Sequence, residues 1–213
     1  MHSATQSSTK VVRLGAVFFP GFELLDAFGP LEMFAMLAER IEIVSLAERA
    51  GPVASAQRLE AVAQYAFAEA PALDLLLVPG GFGTRAEVAN PAMLDFLRER
   101  SARAQLTLSV CTGAALLAAA GLLDGRRATT NKMRFEWVAQ CGPKVDWVRE
   151  ARWVEDGPFV SSSGPAAGID MALAVIARLF GEETSDRCAL VAEYERHRDS
   201  TWDPFARIHG LVA

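Results

Sequence analysis

The stretch that most constrains this chain is residues 105–125, QLTLSVCTGAALLAAAGLLDG. Residues 106–110 alternate no charge and hold three aliphatic side chains, the composition of a strand buried on both faces. The chain then passes directly through Cys111-Thr112-Gly113 into an alanine- and leucine-rich helix that stops at Gly121. This places Cys111 on a sharp strand-to-helix turn, its sulfur beside the first, unpaired backbone N–H groups of the helix. Such a turn stabilises a thiolate and can hold a developing anion, which makes Cys111 a candidate nucleophile.

The rest of the sequence repeats this strand-then-helix order. Residues 11–19 (VVRLGAVFF) form a near-continuous apolar run ending at Pro20-Gly21. Over residues 24–40 the apolar positions Leu24, Leu25, Phe28, Leu31, Phe34, Ala35 and Ala38 recur three and four apart, so a helix is expected, with Pro30 starting or kinking it. Residues 41–46 read as a second strand, and 52–67 as shorter strand-like pieces with Arg58 and Glu60 on a wetter side. A further buried strand over 73–78 meets Pro79-Gly80-Gly81-Phe82-Gly83, a turn that lets backbone approach a ligand closely. Asn90 with Pro91 has the form of a helix cap, leading to a helix through Met93, Phe96 and Leu97 to Arg103.

Beyond the Cys111 helix, residues 121–127 make a turn, 128–130 a short extended segment and 133–140 a short helix. Residues 145–154 suit a hairpin or an edge strand, and 159–163 a last strand. Gly164-Pro165 introduces a helix to Phe180, and a final helix over 184–198 precedes a loop with Trp202 and Phe205. Alternating strands and helices imply an α/β fold: a single-domain three-layer sandwich over residues 11–213, its mostly parallel sheet covered by helices on both faces. Residues 1–10, MHSATQSSTK, are expected to be a disordered tail.

Charge and residue usage narrow the function. A formal net charge of -5 and a pI near 5.3 argue against nucleic acid and anionic membrane as partners. No apolar run approaches the ~20 residues that span a bilayer. The N-terminus lacks the apolar centre of a secretion signal, so the expected location is cytoplasmic. Three cysteines, Cys111, Cys141 and Cys188, have neither disulfide nor zinc spacing, and His2, His197 and His209 are too few for a metal site. The expectation is therefore no metal, no cofactor and a small-molecule substrate.

A thiol hydrolase of the familiar kind needs a histidine base, and no histidine stands near Cys111 in sequence; the segment Ala128-Thr129-Thr130 ends in Asn131. A carboxyl group is the remaining proton carrier. Asp26, set among Leu24, Leu25, Ala27 and Phe28, has the apolar surroundings that raise a carboxyl pKa, and Glu23 competes with it. Glu32, Asp124 and Asp170 read as surface, turn and cap residues respectively.

The segments FFPGFELLDAFGPLEMF, LLLVPGGFG, SVCTGAALLAAAGLLDGRRATTNK and SSSGPAAGIDMALAVIARLFG together span nearly the whole chain after the tail. Their combination resembles the DJ-1/PfpI superfamily, and within it the isonitrile (isocyanide) hydratases. The resemblance implies a flavodoxin-like fold, with Cys111 as elbow nucleophile, Asp26 as its carboxyl partner, Thr112 lending a hydroxyl or N–H, and the Gly81 and Thr112 N–H groups lining an anion pocket. It also implies a homodimer with active sites near the interface, suited to apolar residues around Met33 and Phe34. One departure is that Asn131, followed by Lys132, stands where such hydratases carry histidine. The superfamily also holds redox or ligand sensors and glyoxalase or deglycase enzymes.

Overall fold

The structure, a computed structural model, describes residues 11–213, and the tail expected over residues 1–10 lies outside them. Eleven strands occur among the described residues: β1 (Val12–Val17), β2 (Ile41–Ala47), β3 (Gly51–Ala54), β4 (Glu60–Ala63), β5 (Tyr65–Ala66), β6 (Leu75–Val78), β7 (Leu106–Val110), β8 (Arg127–Ala128), β9 (Asp146–Trp147), β10 (Trp153–Asp156) and β11 (Phe159–Ser162). Seven of them build one sheet in the order β10-β11-β7-β6-β1-β2-β5. All its pairings are parallel except β10 with β11, so an antiparallel edge strand closes a parallel sheet. The side pairs β3-β4 and β8-β9 stand apart from it.

The helices are α1 (Leu24–Ala35), α2 (Thr84–Glu87), α3 (Pro91–Ser101), α4 (Gly113–Ala119), α5 (Phe135–Cys141), α6 (Ala167–Phe180), α7 (Glu182–Val191) and α8 (Pro204–Ile208). They form two groups: α1 and α7 pack on α6, while α2, α3 and α5 pack on α4. Strand β7 touches α4 from one group and α6 from the other, so the sheet lies between them. The apolar runs fill this middle layer; Leu75, Leu76, Leu77 and Val78 of β6 are fully buried, as parallel strands covered on both faces require.

The expected elements are present with altered limits. Helix α1 ends at Ala35, with residues 36–40 in turns, and Pro30 lies inside it rather than at its start. Helix α7 ends at Val191 instead of continuing to 198. Asp203 accepts from the Phe205 backbone N–H and opens α8 where a loop was expected. Met33 and Phe34 are buried, so the apolar side chains that α1 leaves exposed are Leu25 and Phe28 instead. Asp170 corrects another expectation: far from capping a helix at the surface, it is fully buried against Arg152.

Candidate active site

The sheet order reverses at β1, with β2 on one side and β6 on the other. Connections leaving two such neighbouring strands go opposite ways and open a crevice at the carboxyl ends of the strands. The segments that follow β1, β6 and β7 meet there: α1 with Asp26, the Pro79-Gly83 turn, and Cys111-Thr112.

Cys111 adopts φ 57°, a left-handed conformation that costs a non-glycine residue of order 1–2 kcal/mol. The strain is held by hydrogen bonds on both sides of the residue. Its backbone N–H donates to Ser162 O (3.2 Å), and its carbonyl accepts from Thr130 Oγ1 (2.7 Å). Gly164 packs so close that a Cβ there would lie 2.6 Å from Cys111 Cβ. Two strand ends and the 128–130 segment therefore fix the elbow.

Behind the sulfur lies a polar cluster in a fully buried setting. Asp26, in the first turn of α1, is 0% exposed; its Oδ2 accepts from the Gly80 N–H (3.0 Å), and its Oδ1 is buried with no hydrogen-bond partner. Gly80 must be glycine, because a Cβ would meet Thr112 N and Oγ1 at 2.6 Å and Asp26 Oδ2 at 2.8 Å. The Gly81 N–H, expected to line an anion pocket, donates to Thr112 Oγ1 (3.0 Å), and Thr84 Oγ1 lies 3.3 Å from the same hydroxyl. The glycine-rich turn thus grips the Thr112 side chain as well as Asp26.

Burial decides the ionisation of this cluster. Loss of water around Asp26, reinforced by the nearby Glu23 charge, raises its pKa to about 7 against the pull of the Gly80 N–H and the Cys111 thiol. The Cys111 thiol is pushed well above its ordinary value, first by burial and then by the Asp26 carboxylate, while the Thr112 N–H and hydroxyl only partly offset this. Burial thus opposes the stabilisation of a thiolate expected from the turn. The two acids instead share protons as a coupled pair.

Cys111 opens on a cavity of about 260 Å³. Its walls bring together Glu23, Gly81, Thr112 and Asn131, all marked in the sequence, whereas Asp26 sits behind Cys111 and does not line it. Glu23 is held by Gln57, whose Nε2 donates to Oε1 at 2.6 Å. Asn131 is tied at both ends, Nδ2 donating to Gly164 O (3.1 Å) and Oδ1 accepting from the Arg134 N–H (3.0 Å), so it braces the wall. Phe82, Arg85, Met133, Arg134 and Pro165 complete the cavity and were not marked in the sequence. Their signal was position: each lies within four residues of a marked glycine, asparagine or proline turn. Neither His197 nor His209 lines this cavity. Among the described residues, no three His, Cys, Asp or Glu side chains group as a metal would need.

The family model described as "DJ-1/PfpI family" matches residues 13–178. An isonitrile hydratase from Pseudomonas putida is 35% identical over 185 residues, covering 86% of this chain and 78% of that enzyme. The transcriptional regulator CdhR from Pseudomonas aeruginosa is 29% identical over 78% of this chain, which spans only 50% of the regulator. Among solved structures, a ThiJ/PfpI family protein from Pseudomonas syringae superposes with a TM-score of 0.82 at 32% identity, covering 90% of this chain and 78% of that one. A DJ-1 superfamily protein from Salmonella typhimurium, solved as a cysteine-to-alanine mutant, gives 0.75 at 29% identity, covering 87% of this chain and all of that one.

Proposed function

The chain belongs to the DJ-1/PfpI family, and from that premise we propose that it is an isonitrile hydratase, converting R–NC and water to the N-substituted formamide R–NH–CHO. One observation carries the reading: a cysteine elbow opens on a small cavity that no histidine of the described residues lines, and is backed by a buried carboxyl of pKa about 7. Similarity to the Pseudomonas putida isonitrile hydratase supports the same activity.

The isonitrile carbon is nucleophilic until it is protonated, after which it accepts a nucleophile. A pair holding one proton can supply both needs. Asp26 takes the thiol proton from Cys111 and delivers it to the terminal carbon while the freed sulfur bonds to the same carbon, leaving a thioimidate, R–N=CH–S, and an Asp26 carboxylate. Water then adds its oxygen to that carbon, and one of its hydrogens passes through Asp26 to the nitrogen. As C=O forms, the other hydrogen goes to Asp26, the C–S bond breaks, and the pair is restored. Because Asp26 titrates near neutrality, it can both give and take a proton at working pH. The Gly80 N–H steadies it as carboxylate, and Thr112 is held ready beside the sulfur.

A glyoxalase or deglycase would usually want a histidine near the sulfur, and Asn131 stands at that position, occupied as a brace. Leu25 and Phe28, exposed on α1, are the face through which we infer a homodimer. Three free cysteines fit a reducing, cytoplasmic setting, and no helix of the described residues is long and apolar enough to cross a membrane. Side-by-side assay of cyclohexyl isocyanide and methylglyoxal tests the reading: formamide from the isocyanide is the expected product, and turnover of methylglyoxal alone would overturn it.

A further inference from the structure

The cavity at Cys111 carries an unbalanced charge. Arg85 and Arg134 both line it, and neither is in an ion pair among the described residues, although many other arginines of this acidic protein are paired. Arg85 lies over two rings, its guanidinium carbon 5.3 Å from the Phe82 centroid and 4.9 Å from that of Trp137. This fixes the cation while leaving its N–H edges without a carboxylate. Opposing them in the wall is the single acid Glu23, which already accepts from Gln57.

Arg85, Met133 and Arg134 also line a second hollow of about 260 Å³ with His209 and with Lys132, whose buried ammonium donates to Thr129 Oγ1 and Ala151 O. Glu136, the acid of that hollow, is bonded to Arg149 (2.6 Å). A substrate seated with its reactive end at Cys111 therefore shares the cavity with apolar Phe82, Met133 and Pro165 and with two guanidinium groups that have no carboxylate partner among the described residues. Guanidinium forks match a carboxylate, and both arginines are exposed, free to meet one that reaches the cavity wall.

We propose that the preferred substrates are isonitriles bearing a carboxylate a short apolar spacer away from the isocyano group, bound through Arg85 and Arg134. The proposal rests on the hydratase reading and narrows it to a substrate class. It also implies that the reaction consuming the product takes an N-formyl amino acid.

The test compares isocyanoacetate, 3-isocyanopropanoate and 4-isocyanobutanoate with their methyl esters, each pair differing in the charge the arginines would read. For at least one pair, kcat/KM is expected to favour the acid by about tenfold, the size of one charge-assisted contact. Arg134→Gln and Arg85→Gln should each cut that acid-to-ester ratio severalfold, mainly by raising KM for the acid, and raising salt from about 0.05 to 0.5 M should shrink it. Because the ratio is taken within each variant, partial misfolding does not alter it. Esters turned over as well as acids, with a ratio insensitive to both variants, would overturn the proposal and leave the hydratase reading standing. Failure of every acid, every ester and cyclohexyl isocyanide would overturn the hydratase reading itself, and the proposal with it.

Discussion

Two aspartates, Asp26 and Asp170, occupy like positions and have opposite fates. Each lies in the first turn of a helix, α1 or α6, and each is 0% exposed. Asp170 is surrounded by donors: Oδ2 accepts from Arg152 Nε (2.8 Å) and Nη2 (2.6 Å) and from Tyr194 Oη (3.1 Å), and Oδ1 accepts from the His197 N–H (2.8 Å). Asp26 accepts from the Gly80 N–H, has only the Cys111 thiol besides, and keeps an oxygen with no partner. The difference teaches that burial alone assigns no role to an acid. A carboxylate whose lone pairs are filled is a structural tie, here fastening α6 to the chain after α7, whereas one left short of donors keeps its proton and can transfer it.

The contrast is most strongly tested by neutralising the tie. Asp170→Asn leaves the Arg152 guanidinium buried without its counter-charge, and urea unfolding should register a loss of about 3–5 kcal/mol. Turnover per folded molecule should stay within about twofold of the parent, since Asp170 is a positioning and packing residue for the sheet edge. Asp26→Asn should do the reverse: the fold survives, and isocyanide hydration falls at least ~100-fold, the contribution typical of a general acid and base. If Glu23→Gln produces that loss in place of Asp26→Asn, the half-buried cavity acid is the proton carrier.

A smaller effect sharpens the comparison in stability. Below pH 3.8 Asp26 is protonated in both folded and unfolded chains and contributes nothing. Between 3.8 and about 7 the unfolded chain releases this proton while the folded one retains it, so folding stability falls as pH rises. Above about 7 the penalty is complete. Thermal unfolding of Asp26→Asn should therefore show a gain over the parent that grows from pH 4 to pH 7 and then levels, on the order of 1–2 kcal/mol once relaxation is allowed. A gain constant across that range would mean that Asp26 is not held protonated by burial.

Sequence reading recovered the parts whose cause is local. The apolar strand before Cys111, the Pro79-Gly83 turn and the Asn90-Pro91 cap each follow from neighbouring residues, and the cap is observed, with Asn90 Oδ1 accepting from the Ala92 N–H at 3.0 Å. What escaped depends on residues far apart in the chain. The helix expected to reach 198 stops at Val191 and is followed by Glu193 with φ 49°, and beyond it Tyr194 and His197 turn back to Asp170. Periodicity carries no sign of such capture. Likewise, composition around Cys111 suggests an electropositive turn, but the burial that raises its thiol comes from Asp26, Gly80 and Gly164, contributed by other segments. Arg85 and Arg134 could be seen as cavity residues only after the loops carrying them were brought to one place. The Asp203-Pro204 start of α8 follows the same rule as Asn90-Pro91, within a stretch expected to be loop.

The account rests finally on a covalent bond between substrate carbon and Cys111. Turnover of cyclohexyl isocyanide by Cys111→Ala, with formamide followed by chromatography and the fold checked by circular dichroism, tests it directly. Formamide formation reduced to the uncatalysed rate, in a variant that retains the parent's spectrum, is the predicted result. Undiminished turnover by the alanine variant would contradict it.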